Sequence, residues 1–262
     1  MRLLISHFFN EEYLLPWWLK HHREVFDHGV LIDYRSTDRS VEICRELVPG
    51  WEIVTSQHET FAGILCDFEV MKHEERFPGA WKLVLNTTEF LVGDQIDNVI
   101  RFVEENGLTG VLIPGAVIVD KEPDKVPSYD LPLVSQKHHG FWERDFPYGE
   151  AAQWWIPGQN RTRVLHNYLI GAYRPGRHLT CLRNLTTARP EHLGIWWYAY
   201  SPWTRAFVER KLQIKTKVDP LDPSRFQFGQ QHMTEMDEMV ERRDYLLPYS
   251  RDLDVPPAFK RR

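Results

Sequence analysis

Asn86, Thr87, Thr88 and Glu89 stand in a row after Trp81–Leu85, a short run that is apolar apart from Lys82 and is preceded by Pro78 and Gly79. The run reads as a buried strand. An amide, two hydroxyls and a carboxylate beyond its end can hydrogen-bond a polar ligand, and in open α/β sheets ligands sit in the crevice past the carboxyl ends of strands. The competing reading is a plain turn after a core strand. Asn86-Thr87-Thr88 is also a glycosylation sequon, as are Asn160-Arg161-Thr162 and Asn184-Leu185-Thr186; without a secretory signal they read as accidental.

The elements that must position this cluster alternate. Arg2 to Phe9 is a first strand, and Asn10-Glu11-Glu12 supplies a cap and two acids for a helix to about Phe26 with an apolar face of Leu14, Leu15, Trp18, Leu19 and Val25. Gly29 to Tyr34 is a second strand, and Ser36-Thr37-Asp38 opens a second helix through Leu47. Trp51 to Thr55, then a helix from Thr60 to about Phe77, lead into the strand at Trp81. Four strand–helix alternations imply parallel pairing with right-handed crossovers in a doubly wound sheet. Further on, Ile96 to Glu105 reads as a helix, Gly110 to Val119 as one strand interrupted at Pro114-Gly115, and Asp120 to Pro157 as a long irregular segment of the kind that carries function. Arg161 to Leu182 reads as a hairpin turning at Pro175-Gly176, and Pro202 to Ile214 as an amphipathic helix with Phe207, Val208 and Leu212 inward.

Composition narrows the classes. The 262 residues are 42% hydrophobic and 26% charged with a net charge of -5, an ordinary globular balance that gives no long-range attraction to nucleic acid or anionic membranes. Aromatic residues make up 13%, with faces suited to stacking on sugars or bases as well as to core packing. Cys44, Cys66 and Cys181 lack metal or redox spacing and read as thiols of a reducing compartment. The apolar run before Asn10 is too short for a signal peptide or membrane span, so a cytoplasmic location is expected.

Three stretches carry a resemblance. Leu85-Asn86-Thr87-Thr88-Glu89-Phe90 resembles the Leu-Asp-x-Asp-Glu-Phe signature of GT-A type glycosyltransferases, in particular relatives of families 2 and 92. Phe9-Asn10-Glu11-Glu12 through Trp18-Leu19-Lys20-His21-His22 resembles their Arg-Asn-Glu-x-x-x-Leu-x-x-Trp-Leu-x-His-His opening, and Asp33-Tyr34-Arg35-Ser36-Thr37-Asp38 their Asp-x-x-Ser-Thr-Asp turn. All three fall in order, at strand ends, within about the first ninety residues.

The resemblance implies a GT-A fold, a mostly parallel Rossmann-like sheet flanked by helices, forming one domain over 1–250. Within it, 1–120 would be the nucleotide-sugar-binding half and 121–250 the acceptor half with the C-terminal helices, followed by a tail at 251–262. It implies transfer of a sugar from a UDP- or GDP-linked donor to a hydroxyl acceptor on a glycan, lipid or protein. Donor contacts would come from Phe9, Asn10, Asp33, Ser36, Asp67, Asn86, Thr88, Arg177 and His178. Asp33 would accept a base N–H, Ser36 and the following helix N-terminus would meet ribose or phosphate, and Arg177 would offset diphosphate charge. The family's divalent cation, manganese or magnesium, would fall to Glu89 and a late histidine, His232. However, Asn86 and Thr88 replace the two aspartates, and uncharged oxygens hold such hard cations weakly. The base that takes the acceptor's proton would be Glu143, Asp145 or Glu150, with Glu150, which opens a helical turn, favoured. The rival reading is a non-catalytic nucleotide-sugar or glycan binder with a degenerate motif. A sugar nucleotidyltransferase ranks last, because the glycine-rich, arginine-containing N-terminal loop is missing.

Overall fold

The computed structural model of the chain describes residues 1–146, 161–221, 233, 235–255 and 257. It is a mixed α/β structure whose first half follows the expected alternation: β1 Arg2–Phe8, α1 Leu15–His22, β2 His28–Asp33, α2 Ser40–Leu47, β3 Glu52–Thr55, α3 Gly63–Glu75 and β4 Trp81–Val84. Strands β3, β2, β1 and β4 lie side by side and parallel. The chain winds outward from β1 to β3, then returns to place β4 on the other flank of β1. That reversal is the topological switch where such sheets leave a crevice.

Side-chain alternation covers both faces of this sheet. Leu4, Leu31 and Leu83 point to one core shared with Trp18 and Leu19 of α1 and Ile43 and Cys44 of α2, whereas Leu3, Ile5, Val30, Ile32 and Val84 point to a second core shared with Cys66 and Val70 of α3. Strands buried on both faces explain why the sequence shows apolar runs there rather than alternation.

The second half departs from expectation. The single strand read over Gly110 to Val119 is two, β6 Gly110–Ile113 and β7 Gly115–Val119, following β5 Glu89–Val92 and α4 Ile96–Glu105. They belong to different sheets. β6 extends the parallel sheet through β9 Arg163–His166, which is antiparallel to both β4 and β6, and β10 Leu185–Thr187 pairs outside β6. β7 joins a second sheet with β5, β8 His139–Trp142, β11 Gly194–Tyr200 and β12 Arg251–Asp252. Pro114, which has no N–H to give a ladder, sits at the break. The hairpin read at Pro175-Gly176 reduces to an isolated bridge between Tyr173 and Thr180. Of the irregular segment, Leu133–Gln136 is a short helix, α5, and β8 is a strand. The expected C-terminal helix is α6, Arg205–Gln213, capped by Thr204 Oγ1, which accepts from the Phe207 amide at 3.2 Å; α7, Met236–Leu246, follows.

The entrance to α1 is also corrected. Asn10 does not cap it: the helix begins at Leu15, and Asn10 takes a left-handed backbone, φ 51°. A short side chain that can bond locally tolerates this conformation, and the turn it makes aims the amide at the neighbouring strand end.

Candidate functional site

Two strand ends are laced together at the first corner. Asp33, buried at the end of β2, accepts the Ser36 amide at 2.9 Å, and Ser36 Oγ accepts the Asn10 amide at 3.0 Å. Asn10 Oδ1 accepts the Thr37 amide at 2.8 Å. Both faces of the Asn10 side chain and backbone also meet α6, because Asn10 Nδ2 donates to Gln213 Oε1 at 3.1 Å while Gln213 Nε2 donates to the Asn10 carbonyl at 3.0 Å. One turn earlier on α6, Arg210 pairs with the buried carboxylate of Glu11. Burial raises the Glu11 pKa, against the opposing pull of Arg210. α6 therefore ties down the corner at β1 and β2.

At the β4 corner, Glu89 is held by both oxygens. Its Oε2 accepts the Asn86 amide at 2.8 Å and Arg163 Nε at 2.8 Å, and Oε1 takes Arg163 Nη2. Arg163, on β9, continues to the Gly176 carbonyl and to His178 Nδ1, each at 2.9 Å. Asn86 Oδ1 accepts Arg177 Nη2 at 2.8 Å, and the same guanidinium pairs with Asp67 and reaches His7 Nδ1 at 3.3 Å. His7 in turn packs edge-on to Tyr34, ring centroids 5.9 Å apart, just past Asp33. Arg177 sits at φ 61° beside Gly176 at φ 87°, and Arg35, at φ 59°, flanks Asp33; non-glycine residues pay for this backbone and hold it only where their surroundings impose it.

The opening motif positions this corner through its apolar and histidine residues. Trp18 Nε1 donates to the Glu89 carbonyl at 2.8 Å, and His22 Nε2 accepts the Leu91 amide at 3.1 Å. Burial lowers the pKa values of both His21, to about 4, and His22, so both are neutral at physiological pH and can serve as such latches.

A third group was not anticipated. Trp197 on β11 pairs in register with Glu89 on β5, and the Tyr198 amide donates to the Thr88 carbonyl at 2.8 Å. The Arg161 guanidinium lies 3.8 Å from the centre of the Trp197 ring. Lys211 of α6 approaches the Tyr200 ring at 4.8 Å and the Trp197 ring at 6.0 Å. Close approach of the Arg161 backbone depends on Gly115, where a β-carbon would come within 2.4 Å of the Arg161 carbonyl oxygen.

The expected residues therefore divide. Phe9, Asn10, Asp33 and Ser36 form one corner; Asp67, Asn86, Glu89, Arg177 and His178 form the other, and Thr88 holds β11 by its backbone. Asp67 is a buried partner of Arg177. Among the base candidates, Glu143 is buried against Arg161, with burial pushing its pKa up to about 7 despite that neighbour. Asp145 is exposed beside Arg144. Glu150 and His232 lie outside the described residues. Arg163, Arg161, Lys211, Trp197, Glu11 and His7 were missed. Arg163 left a trace in the Arg163-Val164-Leu165-His166 strand pattern and Glu11 in the opening motif, but neither was read as a charge that would be paired.

Among the described residues the donor set does not fit a metal. Asn86 and Thr88 are uncharged, Asn86 Oδ1 is engaged by Arg177, and both Glu89 oxygens are engaged by Arg163. Among the described residues no three His, Cys, Asp or Glu side chains gather to hold an ion.

No protein-family model matches the chain, and no curated protein matches it. Among solved structures it is similar to Staphylococcus aureus TarS 1-349 in complex with UDP, at 12% identity and TM-score 0.46 over 92% of this chain and 78% of that one. It is similar to S. aureus TarS at 14% identity and TM-score 0.44 over 82% of this chain, spanning 39% of that chain's length. HddC from Yersinia pseudotuberculosis matches 47% of this chain and 62% of that one, at 11% identity and TM-score 0.30. Among the described residues no helix is long and apolar enough to cross a membrane.

Proposed function

We propose that the chain is a GT-A type glycosyltransferase that moves a sugar from a nucleoside-diphosphate donor, UDP- or GDP-linked, to a hydroxyl acceptor. The carrying observation is the approach of two polar corners, built from the ends of β1, β2 and β4, at the switch point. Gln213 and Arg210 of α6 hold Asn10 and Glu11 beside Asp33 and Ser36, and Arg177 bridges from Asn86 to His7, whose ring packs on Tyr34 next to Asp33. Asp33 accepts the base and Ser36 the ribose or phosphate, while Arg177 and His178 border the sugar-diphosphate side. Glu89 acts as the organiser of Arg163 rather than as a metal ligand.

In the reaction the acceptor oxygen forms a bond to the anomeric carbon as the bond from that carbon to the diphosphate oxygen breaks. A base removes the acceptor proton. Glu143 is the carboxylate that faces the cationic cluster, and a pKa near 7 suits a base working at neutral pH. Positioning and stabilisation of the departing diphosphate supply the rest of the rate enhancement.

The replaced aspartates favour one rival, a protein that binds the nucleotide-sugar without turning it over. A donor-hydrolysis and transfer assay across UDP- and GDP-sugars, with and without manganese, separates the two. Turnover of any donor, abolished in Asp33→Ala, supports the enzyme; tight nucleotide binding with no hydrolysis of any donor supports the binder.

A further inference from the structure

We propose that Lys211, with Arg161 on the face of Trp197, forms the seat for the donor's diphosphate and supplies the positive charge that a metal ion would otherwise bring. The inference rests on the nucleotide-sugar reading above and adds to it a specific anion site built by α6 and β11.

Three observations carry it. First, among the described residues Lys211 lacks the carboxylate that each neighbouring guanidinium has. Arg161 has Glu143, Arg210 has Glu11 and Arg242 of α7 has Glu238, each as an ion pair. Lys211 has no carboxylate within ion-pair distance among the described residues, and donates only to the Ala199 carbonyl at 3.2 Å. A half-buried ammonium set among three guanidiniums is costly to keep charged unless an anion arrives. Second, the place is right. Trp197 is the cross-strand neighbour of Glu89, and the Lys211 ammonium lies 6.0 Å from its ring, on the face of α6 that packs on β11. Through the Trp197 ring the cation is one residue pair away from Glu89, at the turn where the family's aspartates would bring the metal. Third, the carboxylate that remains there, Glu89, is already committed to Arg163.

The protonation state follows from the same surroundings. Burial, then Arg210, Arg161 and Arg242, push the Lys211 pKa down to about 7. Facing it from the other packed elements are the Tyr200 and Trp197 rings of β11, Glu143 beside Arg161, Glu11 beside Arg210 and Glu238 beside Arg242. A bound diphosphate adds negative charge to this set and restores the ammonium, so binding at pH 8 takes up a proton.

Titration calorimetry with inorganic pyrophosphate, UDP and GDP, in EDTA and again with manganese, tests the proposal on the full chain. Pyrophosphate and one nucleotide should bind in EDTA, with proton uptake when two buffers of different ionisation heat are compared at pH 8. Lys211→Met should weaken that binding about 10- to 100-fold and abolish the uptake, and Lys211→Arg should restore the affinity. Lys211→Gln replaces the methionine variant if the latter fails to fold by circular dichroism. Nucleotide binding that requires manganese, or that is unchanged in Lys211→Met, overturns the lysine seat and leaves the nucleotide-sugar reading standing. Pyrophosphate binding through Lys211 with no affinity for either nucleotide upholds the anion site and overturns the donor reading. Absence of all binding overturns both.

Discussion

Two sets of buried charge flank the end of β4, and they are built to different plans. On the α3 side, Glu89 with Arg163 and Asp67 with Arg177 close on one another, and their spare donors go to the Gly176 carbonyl, His178, Asn86 and His7. On the α6 side, Arg161 and Lys211 gather around Trp197 and Tyr200, and among the described residues the ammonium has no carboxylate partner. In the first set each guanidinium faces a carboxylate, and the pairs fix geometry. The second has charge to offer a ligand. A closed pair is costly to break because the survivor is stranded without solvent, whereas an uncompensated cation already bears that cost and is relieved by removal or by an anion.

The comparison breaks hardest at Arg163. Arg163→Met leaves Glu89 buried and unpaired and should cost about 3–5 kcal/mol of stability, read by denaturant unfolding, with much of the loss recovered when Glu89→Leu is added. Failure of the second change to recover stability would mean that the pair is not the closed unit described. Next comes Glu143. Glu143→Gln should lower kcat by about 10²-fold or more and remove a rise in rate as pH increases through about 7, where this carboxyl loses its proton; Asp145→Asn, exposed beside Arg144, should leave the profile intact.

A smaller effect is expected at the backbone approach that seats Arg161. Gly115→Ala should cost about 1–3 kcal/mol through overpacking and weaken pyrophosphate binding by displacing Arg161 from Trp197, measured by unfolding and calorimetry together. The smallest effect sharpens the contrast. A lysine with a depressed pKa favours the fold when neutral, so the unliganded protein loses stability as pH falls from the ordinary lysine range through about 7. Lys211→Met should flatten that part of the pH–stability curve without the collapse seen for Arg163→Met.

What could be read from residues alone followed the reach of local signals. The β1–α1–β2–α2–β3–α3–β4 alternation was legible because buried parallel strands appear as apolar runs and the helices keep one apolar face. Asn10, Asp33, Ser36, Asn86 and Glu89 were legible as polar residues at strand ends. The opening Trp18 and His22 were visible as a motif, but their part in pinning Glu89 and Leu91 was not, since those bonds span about seventy residues. The break at Pro114 was seen as an interruption, yet nothing local says that the strands on either side enter different sheets.

The sequence by itself determined the winding of the first sheet and which strand ends would be polar, because side-chain period and turn residues act over a few positions. Only the tertiary structure decided that Glu89 would be locked by Arg163, that Asp67 would find Arg177, and that Arg161 and Lys211 would share the Trp197 ring. Each of those outcomes depends on charges brought together from distant stretches of chain into a space with little water. There, the partner that arrives, and not the residue type, settles whether a carboxylate or an ammonium is a brace or a binding group.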